Sequence, residues 1–402
     1  MAADHEARRA MRAVHLVFAG AGFAAASWAS RIPQLRDLLD VTPSQLGLVL
    51  LAVAVGSMVS LPLAGIVVGH LGAARTVLVT SCLAAVGVAT VALGSTVGVV
   101  PVVIGFFAYG VGGGTWDVAM NVEGAAVEQR LRRTIMTHFH ASFSLGTVVG
   151  ALVGAGLIAL DVSVRNHLLG VAIVTALGTP LAARSFLPVA ITRAHDDEPR
   201  RSAWAAWTEP RTLLLGVFVL AFGFTEGTGN DWLGIAMIDG HGASAALGTL
   251  TLALFLAAMT GTRWYAPRLL DRHGRVPVLR VAGGIALVGL VLVVFGGSLP
   301  VALVGAVLWG VGAALGFPVG MSAAADDPRH AAARVAVVSS IGYAAFLVGP
   351  PLIGLLGDHV GVLRSLTVAA GLLAVGLLVS GALRPPDSGN ASTTIADDTP
   401  GS

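Results

Sequence analysis

Two carboxylates stand where charge is expensive. Asp117 ends the stretch Gly112-Gly113-Gly114-Thr115-Trp116-Asp117, and Glu226 sits in the apolar run that begins at Leu213. An ionised acid at the centre of a membrane helix costs about 2.5–3.5 kcal/mol on insertion scales, so its retention points to a task such as exchanging a proton. By helical spacing, Gly110, Gly113, Gly114 and Asn121 share the face of Asp117, a stripe of small residues, an acid and an amide. His140, Ser144 and Asn230 could hydrogen-bond a solute, and Trp28, Trp116 and Trp309 could stack on a ring. The plainer alternatives are a helix-to-helix hydrogen bond for Asp117, access to water for Glu226 and interfacial anchoring for Trp28. Arg263, late in its apolar run, is expected to snorkel toward the inner interface. His138 and His140 are two apart and cannot share a helix face, so no metal site is expected. The chain has no His-Glu-x-x-His or Gly-x-Ser-x-Gly and no strand-borne Gly-x-Gly-x-x-Gly, so neither an enzyme nor a cofactor is expected.

Helices that cross a bilayer must position these residues. Of 402 residues, 55% are hydrophobic and only 11% charged, with a mean hydropathy of +0.83. A soluble domain carries roughly a quarter charged residues, so most of this surface must face lipid. The reading is an all-α integral membrane protein of twelve transmembrane helices in two six-helix halves. The halves occupy residues 1–183 and 212–383, joined by a cytoplasmic loop at 184–211 and followed by a disordered tail at 384–402. Fifty-two glycines suit helices that must approach closely without help from water. All 24 basic residues are arginine, as in GC-rich bacterial genomes, and they form no continuous patch for nucleic acid. Cys82 is the single cysteine, so no intrachain disulfide can form.

The halves repeat at an offset near 200 residues. Gly22-Phe23 recurs as Gly223-Phe224, Leu46-Gly47 as Leu247-Gly248, and Tyr109-Gly110-Val111-Gly112 as Trp309-Gly310-Val311-Gly312. Such weak internal symmetry marks many transporter folds. Glu226 falls on the position of Ala25, so only the second half has an acid there.

After the eighth span the chain reads Asp271-Arg272-His273-Gly274-Arg275, and after the second Gly69-His70-Leu71-Gly72-Ala73-Ala74-Arg75. These resemble the intact and degraded copies of the cytoplasmic signature of the major facilitator superfamily, Asp-Arg-x-Gly-Arg. Asp117-Val118-Ala119-Met120-Asn121 and His140-Ala141-Ser142-Phe143-Ser144 are similar to segments of its L-fucose permease branch, although Ala29 replaces that branch's helix 1 acid and His140 a glutamine. The resemblance implies a monomeric, proton-coupled symporter of a small, mostly neutral, sugar-like solute in a bacterial inner membrane. Asp117 and Glu226 would carry the proton. Trp28, Asn121, His140, Ser144, Asn230 and Trp309 would line the cavity, and Gly72, Arg75, Asp271, Arg272, Gly274 and Arg275 would form the inner gate. An exporter of the same superfamily and a membrane receptor are the alternatives. The fifth span has Gly146, Gly150, Gly154 and Gly156 but no proline, which weighs against export.

Arginine placement sets the expected topology. Only Arg31, Arg36, Arg165 and Arg364 fall on one set of loops; apart from Arg263, the others fall on the opposite set with the termini, which retention of positive charge makes cytoplasmic. A phosphatase that folds only outside the cytoplasm should be inactive when fused after Arg384 and active near Arg165. The reverse pattern would overturn the topology.

Overall fold

The structure is a computed structural model that describes residues 2–133, 135–187, 203–327 and 330–385. The tail beyond 385 and most of the central loop lie outside the described residues. Among the described residues, twelve helices are long and apolar enough to cross a membrane. We number them α1 (Ala2–Ala29), α2 (Pro43–Leu71), α3 (Ala73–Gly94), α4 (Val99–Leu131), α5 (Met136–Ala159) and α6 (Val164–Ala183) in the first half. The second half has α7 (Pro210–Ile235), α8 (Ala245–His273), α9 (Arg275–Phe295), α10 (Leu299–Ala324), α11 (Ala331–Val360) and α12 (Val362–Leu383). A short helix, Ile32–Leu39, links α1 to α2, and α10 is interrupted at Ala314-Leu315. Asn230-Asp231-Trp232, polar enough to read as the outer end of α7, lies within the helix, which runs through to Ile235 and a π-turn at Ala236–Gly240.

The repeat has a physical counterpart in how the helices touch. A methyl group at Gly87 of α3 would strike the backbone of Tyr109 on α4, and one at Gly289 of α9 would strike that of Trp309 on α10. Gly105 faces Gly87 as Gly305 faces Gly289. Gly110 lies on the Val53 carbonyl of α2, and Gly310 on the Phe255 carbonyl of α8. The same glycines thus set the same crossings in both halves. The stripe of small residues beside Asp117 belongs largely to this packing: Gly110 and Gly114 lie against Ser57 and Ser60 of α2, and Ser57 donates a hydrogen bond to the Gly110 carbonyl (3.1 Å). Three glycines of α5 do likewise against α1 and the turn after it, with Gly146 on the Ala19 carbonyl, Gly150 on that of Phe23 and Gly154 on the Ser30 side chain.

Between the halves, the main contacts run along two helix pairs, α2 with α11 and α5 with α8. The face opposite the termini, here called the distal face, is closed. Gly47 of α2 abuts the Pro350 carbonyl of α11, and Gly354 of α11 abuts that of Pro43. Asp358 accepts hydrogen bonds from the Ser44 amide (3.2 Å) and the Thr42 hydroxyl (3.3 Å). Arg36 forms a two-toothed ion pair with Asp239, and the Thr249 hydroxyl of α8 donates to the Ser30 carbonyl (3.1 Å). Arg31 is 2% exposed, its Nε donating to His167 Nδ1 (2.8 Å). Burial pushes the Arg31 guanidinium down to about 10. No comparable packing joins α4 to α10.

A larger side chain at Gly47 should wedge this seam open. For Gly47→Leu, overpacking of this kind costs about 1–3 kcal/mol, taken from the distal-closed state. With Cys82 replaced, a cysteine at Ser44 should react faster with an impermeant thiol reagent in the Gly47→Leu background. Unchanged labelling would show that the seam does not hold the distal face shut.

Candidate functional site

A cavity of about 200 Å³ lies between the halves, walled by α1 and α5 on one side and by α7 and α8 on the other. The first half contributes Ala25, Ala26, Trp28, Ala29, Phe143, Ser144 and Thr147; the second contributes Glu226, Asn230, Asp231, Leu252, Leu256, Met259, Thr260 and Arg263. Ala25 and Glu226, equivalent across the repeat, face the same space, so the charge is concentrated on the second half.

The strongest polar feature is an ion pair. Arg263 Nη2 donates to both Glu226 oxygens (3.0 and 3.1 Å), and its Nε donates to the Ala314 carbonyl (3.0 Å). Ala314 lies at the interruption of α10, where a carbonyl is freed from the helix ladder. One guanidinium thus ties α7, α8 and α10 together. Arg263 does not snorkel inward as its position late in α8 suggested, because a carboxylate one helix away offers a better partner. Thr260 reaches across to the Ser144 carbonyl of α5 (3.5 Å). Trp28 is held by edge-on contacts with Phe106 and Tyr109, at 5.0 and 5.7 Å between ring centres.

Of the residues expected from sequence, Trp28, Ser144, Asn230 and Glu226 share this cavity. Five others do not line it, and of these Trp116 is buried in the core of the first half. Trp309 is fully buried edge-on against Phe255, filling the core of the second half. Asn121 folds back on its own helix, its Nδ2 donating to the Asp117 carbonyl (2.9 Å) and carboxylate (3.4 Å). His140 is exposed, packed edge-on against Phe18 and close enough to Arg263 to feel its charge. Asp117 is exposed on α4 and acts electrostatically on Tyr343 of α11 across the gap between the halves. Asp231, Thr147 and Thr260 were not singled out as site residues from sequence.

In the gate motif, Gly72 and Gly274 are equivalent one-residue turns with φ of +76° and +78°, a left-handed backbone that favours glycine. Arg275 pairs with Asp326 (2.6 Å) and donates to Ser322, and Arg211 pairs with the same carboxylate (2.9 Å). The partner of Arg275 is therefore Asp326 at the end of α10, not the neighbouring Asp271. Arg75, Asp271 and Arg272 are exposed and have no partner among the described residues. Beside this network Glu209 takes two hydrogen bonds from Arg334 (2.6 and 3.3 Å), which hold its carboxyl below the usual range.

Removing one member of the central pair should cost more than removing both. Breaking a fully buried pair costs about 3–5 kcal/mol. Here the side chains are 18% and 33% exposed, so Glu226→Gln should cost nearer to 2 kcal/mol. In thermal unfolding, Glu226→Gln with Arg263→Gln should recover part of the loss. A double variant no better than the single one would mean that the pair does not act as a unit.

The Major Facilitator Superfamily model matches residues 14–336 and 232–399. An uncharacterized transporter, y4wD of Sinorhizobium fredii (strain NBRC 101917 / NGR234), is 32% identical over 84% of this chain and 88% of its own. A point variant of the nucleoside transporter NupG superposes with a TM-score of 0.78 at 13% identity, covering 93% of this chain and 99% of its own. The transporter FucP in its outward conformation gives 0.64 at 16% identity, over 94% and 100%. At those identities the structures speak for the fold alone, and the L-fucose permease branch is one of several neighbours. With the family model spanning nearly the whole chain, the protein belongs to the Major Facilitator Superfamily and is a multi-pass membrane transporter rather than an enzyme.

Proposed function

We propose that the chain is a proton-coupled secondary transporter of a small, polar, sugar-sized solute, working by alternating access in a bacterial inner membrane with both termini cytoplasmic. The observation that carries this reading is the cavity between the halves, lined by an ion pair and free polar groups under a closed distal face. A solute would reach it from the cytoplasmic side in this state and from outside once the α2–α11 seam opens. Trp28 offers a ring face, and Asn230 and Ser144 offer hydrogen bonds. Asn121 acts beside Asp117, and His140 near Arg263, rather than as walls of the cavity. Asp271, Arg272 and Arg275, with Gly72, Arg75 and Gly274 at the turns, favour closure of the inner face. A single copy suffices, since both walls come from one chain.

Asp117 is the proposed proton carrier. It lies on α4, a helix that must move relative to α10 and α11 when the inner face closes, and its neighbour Asn121 offers a neutral hydrogen bond. Glu226 is the reserve, because its protonation would free Arg263. A thermal-shift screen against sugars, polyols and nucleosides identifies a solute; a ligand at a hundred times its Kd adds about 2.7 kcal/mol. Vesicles should then accumulate it under an imposed pH gradient and lose it on adding an uncoupler. Asp117→Asn, which mimics the protonated acid, should abolish uphill accumulation and leave counterflow exchange largely intact. Uphill, pH-dependent accumulation by Asp117→Asn would move the role to Glu226.

A further inference from the structure

The cavity holds three charged side chains, and two of them neutralise each other. Arg263 gives both of its Nη2 hydrogen bonds to Glu226 and its Nε to Ala314, so the Nε–Nη2 edge of the guanidinium is used. Asp231, five residues further along α7, also lines the cavity, and no hydrogen-bond donor or cation among the described residues reaches it. Neighbouring Asn230 is likewise without a partner, and the rest of the wall is Trp28, Phe143, Leu252, Leu256, Met259 and small residues, where the Thr147 and Thr260 hydroxyls donate to carbonyls of their own helices. An isolated carboxylate in an apolar enclosure is strongly disfavoured unless a cation or hydrogen bonds compensate it.

We infer that Asp231 is the specificity-determining residue of this cavity and that the solute it selects carries an ammonium group. Asp231 would accept charge-assisted hydrogen bonds from that group, and Asn230 would take a neighbouring hydroxyl or carbonyl. The faces of Trp28 and Phe143 suit a cation, since an ammonium is attracted to the negative face of an aromatic ring. An anionic solute meets a surplus carboxylate and a guanidinium already engaged. A neutral polyol could donate hydrogen bonds to Asp231 but would leave its charge unpaired, and hydrogen bonds with both partners charged are the stronger ones. The inference rests on the cavity being the solute site, and it replaces the mostly neutral solute expected from sequence with one of similar size bearing a single positive charge.

The test uses shape-matched pairs that differ in charge: glucosamine against glucose, and cyclohexylamine against cyclohexanol, with glucuronate as the anion. Purified full-length protein is followed by thermal shift and by tryptophan fluorescence. The amine of at least one pair should raise Tm at concentrations where its neutral partner and glucuronate do not. Asp231→Asn should weaken amine binding about tenfold or more, the scale of one lost hydrogen bond to a charged group. Asp231→Glu keeps the charge and should retain the preference for the amine, even if Asp231→Asn folds poorly. Equal response to the neutral partner, full amine binding by Asp231→Asn, or no response to any amine would overturn the inference. Uphill accumulation of a neutral sugar by vesicles would overturn it while leaving the transport reading standing. Failure of every probe to accumulate, with amines still binding at Asp231, would count against transport alone.

Discussion

Helices in hydrocarbon gain nothing by burying leucine, since lipid tails are as apolar as the side chain, so association must come from close approach and polar bonds. Glycine makes that approach possible. Gly87 with Gly105 and Gly289 with Gly305 let α3 cross α4 and α9 cross α10 at backbone contact, and Gly22 and Gly146 do the same between α1 and α5. The rest of the architecture hangs on these crossings. They pack the helices of each half at backbone contact. The distal seam is also built on glycine, at Gly47 and Gly354, but Asp358, Thr42, Ser44, Arg36 and Asp239 reinforce it with polar bonds. Polar bonds at a wet edge exchange readily with water, and surface ion pairs are worth little.

Charge inside the bundle follows a different constraint. A partly buried guanidinium is stabilised by a carboxylate and by acceptors for its remaining donors. Arg263 finds Glu226 and the carbonyl freed at the interruption of α10. That pairing ties three helices of the second half together beside the cavity and pairs the two charges with each other. The electrostatic character of the cavity is then set by what remains, Asp231 and Asn230 on one side and aromatic and small residues on the other.

At the terminal face, the motif copies show how one pattern serves two degrees of function. Gly72 and Gly274 make the same tight turn between consecutive helices, so the geometric part of the motif survives in both halves. The electrostatic part survives only in the second, where Asp326 gathers Arg275 and Arg211 across α7, α9 and α10. Arg75 has no such partner among the described residues.

Sequence alone determined the number of spans, the two-half repeat and the family, because low charge, apolar length and glycine spacing are properties of the chain read locally. It also identified Glu226, Trp28, Ser144 and Asn230 as candidates, since a polar group in an apolar run is conspicuous wherever it ends up. It did not determine which of those groups meet. Whether Arg263 snorkels or pairs depends on a carboxylate 37 residues away on another helix. Whether Trp309 faces a solute or a core depends on Phe255 and on the closeness that Gly289 permits. Asp231 went unnoticed as a site residue because Asn230-Asp231-Trp232 reads as a helix end meeting water. Continuation of α7 to Ile235 instead keeps Asp231 beside the cavity. The tertiary structure decided these points because the strength of a charge or a stacking surface is set by what surrounds it, and in this bundle the surroundings come from helices distant in the chain.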